Sequence, residues 1–361
     1  MHSIVILADQ PRWNSYYSIV FPLYKWKNLF NAHDINIRIT TDKDDRHLKD
    51  ADTAIIISRA FSEGWQNIQL RNRQNEAELI AYLINLKRTV KNLVWYDRSD
   101  SSGSTDFPII QYVDIFLKNQ ILKDINYYSQ HNGARGIRQW LTDIDNLEPH
   151  FKIYYPCPTH QLYKIKLGWN ITHSDHRVFK GRERIISNYI FGNPKIYKSS
   201  IQRRLDFSLR GNLGYGGINA SFFTQRNEVK KLLNELTKYK SLTSEEKISK
   251  QNFIKELSET KVCVSPFGLG EICYRDFEIF MAGSLLIKPS LEHLSTFPEV
   301  FFENETYIPV SWGMDDFKQK IVNILDNYSK YIYIAENGQN IFLNSIQDGQ
   351  TFVKHIKKII V

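Results

Sequence analysis

Short apolar runs alternate with stretches of helical periodicity along this chain, and that alternation restricts it to βαβ-type folds. Ser3–Ala8, Ile35–Thr40, Thr53–Ser58, Leu93–Tyr96, Val113–Leu117 and Ile153–Tyr155 are short, rich in Val, Ile and aromatic residues, and bounded by polar residues. They read as strands. Between the third and fourth, Asn75–Arg88 places Leu79, Tyr82, Leu83 and Leu86 at helical spacing. Strands joined through helices pair in parallel and have both sheet faces covered. The pattern restarts at Asp206, with strands expected at Phe207–Leu209, Val262–Ser265 and Ser284–Lys288. Helices are expected at Thr224–Lys238, Ser244–Thr260 and Glu271–Ala282, followed by Tyr307–Val310, Met314–Tyr328 and a helical tail through Gln350–Ile360.

The expected fold class is α/β, with two halves joined by a basic connector and facing a shared cleft. At roughly 150 residues per domain, the 361 residues suit this division. The expected units are an N-terminal domain over 1–155, a connector over 156–205, a C-terminal domain over 206–345 and a C-terminal helix over 346–361.

The formal charge of +8 could indicate a nucleic-acid partner, but its distribution argues against one. Residues 1–150 hold 18 basic and 18 acidic side chains, and residues 206–361 hold 18 and 19. The stretch 151–205 holds 11 and 2, so the whole excess sits between two neutral halves. Lys164, Lys166, Arg177, Lys180, Arg182 and Arg184 are candidates there for a rim facing an anionic acceptor or the cytoplasmic leaflet, against a plain solvated connector. Cys157, Cys263 and Cys273 show no CxxC spacing, which disfavours a disulfide framework or a cysteine zinc site and fits a reducing cytoplasm. Met1–Asp9 has no basic leader, and no run of about 18 apolar residues suggests a membrane span.

In open parallel sheets, ligands bind outside the carboxyl ends of the strands. That rule picks out Asp9 and Gln10, Arg59, the run from Asp97 to Gly103, and Lys118 in the first half, with Arg210, Gly211 and Ser265–Gly270 in the second. The most informative stretch is Ser265-Pro266-Phe267-Gly268-Leu269-Gly270-Glu271, leading into a helix that ends at Gly283. Glycines admit a ligand close to the backbone, and a helix N-terminus attracts an anion such as a diphosphate. Glu271, Arg275 and Glu278 fall at i, i+4 and i+7, which would put all three on one helix face. An i,i+4 salt bridge is the plain reading of that spacing; a nucleotide-sugar site is the functional one.

Pro266-x-Gly268, then Arg275, Glu278, Ala282 and Gly283 before an apolar strand, resembles the donor-binding segment of exostosin-like glycosyltransferases and, more loosely, of the wider GT-B group. In the retaining members of that group seven residues separate two glutamates; here six separate Glu271 from Glu278, and Ser265 stands beside Pro-Phe-Gly. The resemblance covers about 110 residues from Asp206. It implies two Rossmann-like domains, a nucleotide-sugar donor on the C-terminal one, an acceptor mainly on the N-terminal one, and chemistry without a metal or other cofactor. The exostosin-like pattern favours inversion.

The donor site is thus expected at Arg210, Gly211, Arg226, Gly268, Gly270, Glu271, Arg275 and Glu278. The catalytic base is expected at Asp97 or Asp100, with Asp9 as competitor. The partners expected are a nucleotide sugar and a saccharide acceptor, including a lipid-linked one, with peripheral membrane contact through 151–205 and no nucleic acid. Two other readings stay open: a metal-dependent phosphoesterase built on the Asp97/Asp100 pair, and a non-catalytic glycan- or nucleotide-binding protein. Trp13, Trp65 and Trp312 are candidates for stacking on sugar.

Overall fold

The computed structural model describes residues 1–9, 14–61, 72–137, 140, 154–170, 195–211 and 220–361. Gln10, Trp13, Trp65, Ile153, Arg177, Lys180, Arg182, Arg184 and the glycines between 212 and 219 lie outside them.

Two parallel sheets form the frame. The first contains β1 (His2–Leu7), β2 (Ile35–Thr40), β3 (Thr53–Ile57), β4 (Asn92–Asp97), β5 (Ile115–Lys118) and β7 (Ile165–Leu167), in the order β2-β1-β3-β4-β5-β7. The second contains β8 (Leu205–Arg210), β9 (Ser241–Ser244), β10 (Thr260–Val264), β11 (Leu285–Pro289) and β13 (Ile308–Val310), in the order β13-β11-β10-β8-β9. The central strands are buried because helices cover both faces: no residue of β3 or of β11 is exposed. Strand order reverses between β1 and β3 in one sheet and between β8 and β10 in the other. The crevices outside the carboxyl ends at these reversals are the ligand positions of such sheets.

The first five strands match the sequence reading to within two residues at each end; the sixth does not. Tyr154 and Tyr155 are not in a strand, and the sheet is instead completed by β7, three residues lying inside the basic stretch. The expected helix over Ser244–Thr260 is shorter. Its start belongs to β9, and the helix Lys250–Ser258 begins at Ser249, whose hydroxyl accepts from Asn252 N. The helix expected from Glu271 begins at Tyr274, because Cys273 and Asp276 form a capping box. Glu271 therefore lies in the loop before the helix, and the shared face with Arg275 and Glu278 does not exist.

Among the described residues, a ribbon and a helix are two of the links that join the halves. β6 (Gln120–Leu122) and β12 (Leu294–Thr296) form an antiparallel ribbon, extended by Lys123 N donating to His293 O at 2.9 Å. The helix Gly349–Ile360 returns to the first half, where Phe352 packs on Trp26 and Trp169 at 4.8 and 5.7 Å. Among the described residues, no helix is long and apolar enough to cross a membrane.

Part of the basic excess in 151–205 is internal. Lys164 is buried and donates to the carbonyls of Ile110 and Val113 at 3.2 and 2.7 Å, so it is not a rim cation. Arg203 donates to Ala282 O and Gly283 O at 2.9 and 2.7 Å, holding the end of the Tyr274–Met281 helix. Lys166, Lys195 and Lys198 are exposed.

Candidate functional site

A cavity of about 260 Å³ lies between the two halves at the carboxyl ends of their strands. Arg98 and Asp100 after β4, Asn119 and Gln120 after β5, and Asn170 after β7 form one wall. Arg226 from the helix Ala220–Asn234, the loop Gly268–Leu269–Gly270, and Ile272, Cys273, Tyr274 and Phe277 form the other.

Arg226 on the second wall is one of a pair of guanidinium groups, the other being Arg275. Burial, and then the charge of Arg275, holds Arg226 below the usual arginine range. Two like charges are thus held side by side. Arg226 is anchored by donating to Phe267 O at 3.0 Å. Arg275 lies over Gly211, where a Cβ would come within 2.4 Å of its Nη2, so any larger residue at 211 would displace the guanidinium. Among the described residues Arg275 makes no ion pair, and its Nε is buried without a hydrogen-bond partner. Buried donors without acceptors are rare in native proteins, and a water or a ligand would satisfy this one.

The two walls are clamped together by Glu271. Its carboxylate, 1% exposed, accepts from Ser102 N at 2.9 Å, Ser102 Oγ at 2.5 Å and Gln120 Nε2 at 3.0 Å, all across the domain boundary. His293 Nε2 stands 3.7 Å away. Burial alone would push this carboxyl up, but His293 and Ser102 outweigh it and hold the group below the usual range. Beside it a Cβ at Gly270 would fall 1.6 Å from Asp100 O, so the loops touch backbone to backbone there. Glu271→Ala should leave the Ser102 N–H and hydroxyl buried without this acceptor, while Gln120 Nε2 keeps Asp100 O at 3.1 Å. A loss of about 2 kcal/mol in unfolding free energy by chemical denaturation is expected.

Of the donor-site residues read from sequence, Gly268, Gly270 and Arg226 line the second wall, and Arg275 lies over Gly211 near Arg226. Three stand elsewhere. Glu271 is the clamp. Glu278 is buried and its carboxylate is paired with Lys250, leaving it no face toward the cavity. Arg210 is paired with Glu256 at 2.8 Å and also donates to Ser244 Oγ and Glu246 O, tying β8 to the segment after β9.

The three candidate bases also differ. Asp97 is fully buried and paired with Lys118 at 2.7 Å; burial would raise its pKa, but Lys118 and Ser99 hold it low. That pair pins the loop from below, with Lys118 also donating to Gly103 O at 2.8 Å, and Asp97 has no access to the cavity. Asp100 lines the cavity, half exposed, with Arg59 at 3.3 Å. Asp9 follows β1 at the sheet's reversal, 6% exposed and outside the lining of the cavity, and its Oδ2 is buried with no partner among the described residues. Burial raises its pKa, opposed by Arg98 and Arg59.

Trp312 packs between Phe267 and Trp140, with its Nε1 donating to Ser290 O at 2.9 Å, and is a structural ring. Asn119, Gln120, Asn170 and Tyr274 were not singled out by sequence. Asn119 and Gln120 follow an expected strand and were open to the carboxyl-end rule; Asn170 follows β7, which gave no signal.

Among solved structures, the N-terminal domain of the Candida albicans trehalose-6-phosphate phosphatase aligns with 99% of this chain and 96% of its own, at 11% identity and a TM-score of 0.50. The architecture is of the GT-B type. An alpha-glucosyltransferase in complex with UDP-glucose and DNA containing an abasic site aligns over 99% of both chains at 10% identity and a TM-score of 0.49. A glycosyltransferase from Rickettsia africae does so over 99% of both at 11% and 0.44. No protein-family model and no curated protein matches the sequence. Within the GT-B frame, the cavity occupies the cleft between the two Rossmann-like domains, and the Arg226/Arg275 pair stands at the reversal of the second sheet.

Proposed function

We propose that this chain is a nucleotide-sugar-dependent glycosyltransferase that passes a sugar to a glycan or lipid-linked saccharide, with inversion and without a metal. The observation that carries the reading is the arginine pair at the interdomain cavity, with Arg226 over Gly268 on its lining and Arg275 over Gly211 next to it. A diphosphate accepts from both guanidinium groups, and the N-terminus of the Tyr274–Met281 helix adds its dipole. The exostosin-like pattern around Pro266, Gly268 and Arg275 supports the same class.

In the reaction the acceptor hydroxyl attacks the anomeric carbon while the bond from that carbon to the diphosphate oxygen breaks. The hydroxyl proton passes to a carboxylate of the first domain, assigned to Asp9 at the reversal of its sheet, and the charge left on the nucleoside diphosphate falls on Arg226 and Arg275. The clamp and the closed loops keep bulk water from competing as acceptor.

The phosphoesterase alternative needs two free carboxylates, yet Asp97 and Asp100 already bear Lys118 and Arg59. The purified chain should release nucleoside diphosphate from a nucleotide sugar, with the rate unchanged by EDTA. Inertness toward every nucleotide sugar would favour a non-catalytic binding protein, and loss of activity on chelation would refute metal independence. Peripheral membrane contact through 151–205 belongs to the same proposal, resting on exposed Lys166, Lys195 and Lys198. Co-sedimentation with anionic liposomes at low salt is expected, and its absence would remove this part.

A further inference from the structure

Asn119, Gln120 and Asn170 line the first wall of the cavity, and the hydrogen bonds of these amides fix which way each one points. Gln120 is 2% exposed and sits at the end of the β6–β12 ribbon, opposite Thr296. Its Nε2 lies 3.0 Å from Glu271 Oε2 and 3.1 Å from Asp100 O. A backbone carbonyl only accepts, and burial notwithstanding, His293 and Ser102 keep the Glu271 carboxyl ionised, so that it accepts as well. The end of Gln120 that faces them is therefore its NH2. Its Oε1 is left for Asn170, whose Nδ2 donates to it at 3.1 Å. The polarity set by one carboxylate thus runs through two amides and leaves Oδ1 as the uncommitted acceptor of Asn170.

The backbone leading to Asn170 is pinned at three successive residues. Gly168 N donates to Lys118 O at 2.7 Å, Trp169 N to Tyr96 Oη at 3.0 Å, and Asn170 N to Phe297 O at 2.6 Å. An amide fixed at both its backbone and its NH2 has little freedom left to lose when a ligand arrives. Asn119 repeats the pattern on the same wall. Its Nδ2 faces Ser99 O at 3.5 Å, and its Oδ1 is buried with no partner among the described residues, where a water or a ligand hydroxyl would satisfy it. The opposite wall supplies a different surface, since Leu269 and Tyr274 line it and are 49% and 36% exposed. A saccharide ring suits both walls, with C–H groups on its faces and hydroxyl donors around its edge.

We infer that Asn170 is a specificity-determining residue that accepts a hydrogen bond from a saccharide hydroxyl through Oδ1, with Gln120 as the positioning residue that orients it. Assigning that saccharide to the donor or to the acceptor rests on the glycosyltransferase reading; the amide geometry does not.

The test is calorimetry on the full chain with UDP-, GDP-, CMP- and dTDP-sugars and their free nucleotides. Methyl glycosides of glucose, galactose, mannose and N-acetylglucosamine follow, on the chain saturated with the nucleotide that binds, or on the free chain if none does. Asn170→Ala should weaken the tightest sugar-bearing probe about tenfold, as the loss of one hydrogen bond does, while the free nucleotide stays within twofold. Loss confined to a nucleotide sugar identifies the donor's sugar as the one read, and loss confined to a glycoside identifies the acceptor. Asn170→Asp, which keeps an acceptor oxygen, should retain more affinity than Asn170→Ala; equal loss in both overturns the assignment to Oδ1. Gln120→Met should shrink the discrimination between the bound sugar and its monodeoxy analogues, because a freed amide turns either end to the ligand. A merely structural role for Gln120 would weaken both sugars alike, and an unchanged ratio overturns its positioning role. Sugar affinities unaltered in Asn170→Ala overturn the inference, as does a wild-type chain that binds no nucleotide sugar and no glycoside. If no nucleotide or nucleotide sugar binds, the glycosyltransferase reading falls, while glycoside binding to the free chain that depends on Asn170 would still establish the saccharide site.

Discussion

Arg275→Ala is expected to weaken binding of a nucleoside diphosphate by roughly ten- to hundredfold, from the loss of about 1.5–3 kcal/mol of charge-assisted hydrogen bonding. Arg275 projects from the first turn of its helix across Gly211, with a buried Nε that lacks a partner among the described residues. Its neighbour Arg226 repels it until an anion enters between them, so the ligand relieves an existing electrostatic cost as well as making new contacts. Arg210→Ala supplies the contrast. It breaks the pair with Glu256 and should lower thermal stability while leaving nucleotide affinity within twofold. Calorimetry on the two variants separates a residue that holds ligand from one that holds the sheet.

Asp9→Asn should lower turnover by about 10²–10⁴-fold, the usual range for removing a general base, with nucleotide binding retained. The pH profile gives the sharper signature. A base must be deprotonated to act, and burial raises the pKa of Asp9, so the rate should climb with pH through a limb lying above the ordinary aspartate range. That limb should vanish in Asp9→Asn. Asp100→Asn, at a half-exposed carboxylate paired with Arg59, should shift the rate far less. Normal turnover in Asp9→Asn together with a collapse in Asp100→Asn would move the base to Asp100. Asp97→Asn should act on folding, because it leaves Lys118 buried beside a neutral amide.

The strand framework was legible because burial on both faces writes itself into composition: Ile55, Ile56 and Ile57 or Leu285, Leu286 and Ile287 can hardly sit elsewhere. β7 was not, since Ile165–Leu167 is three residues long and lies in a stretch whose charge dominates its pattern. Positions after strands were equally legible, and Gly211, Gly268, Gly270 and Asp9 were found that way. Partners were not. Glu271 meets Ser102 from 169 positions away, and Glu278 and Arg210 are taken by Lys250 and Glu256, which no local spacing announces. The helix start also misled: a capping box at Cys273 and Asp276 removed Glu271 from the face that its spacing implied. Conversely, Arg98 stood in the highlighted run after β4, but only the walls of the cavity single it out from Asp97, Ser99 and Ser101.

The central claim is that the interdomain arginine pair seats a nucleotide sugar. A thermal-shift screen of the full chain against UDP-, GDP-, CMP- and dTDP-sugars tests it most directly, because a ligand at 100 times its Kd adds about 2.7 kcal/mol of stability. At least one of these donors should raise the melting temperature of the wild type, with the shift lost in Arg275→Ala and Arg226→Ala. A chain that none of them stabilises, or one stabilised equally with and without the two arginines, would contradict the account.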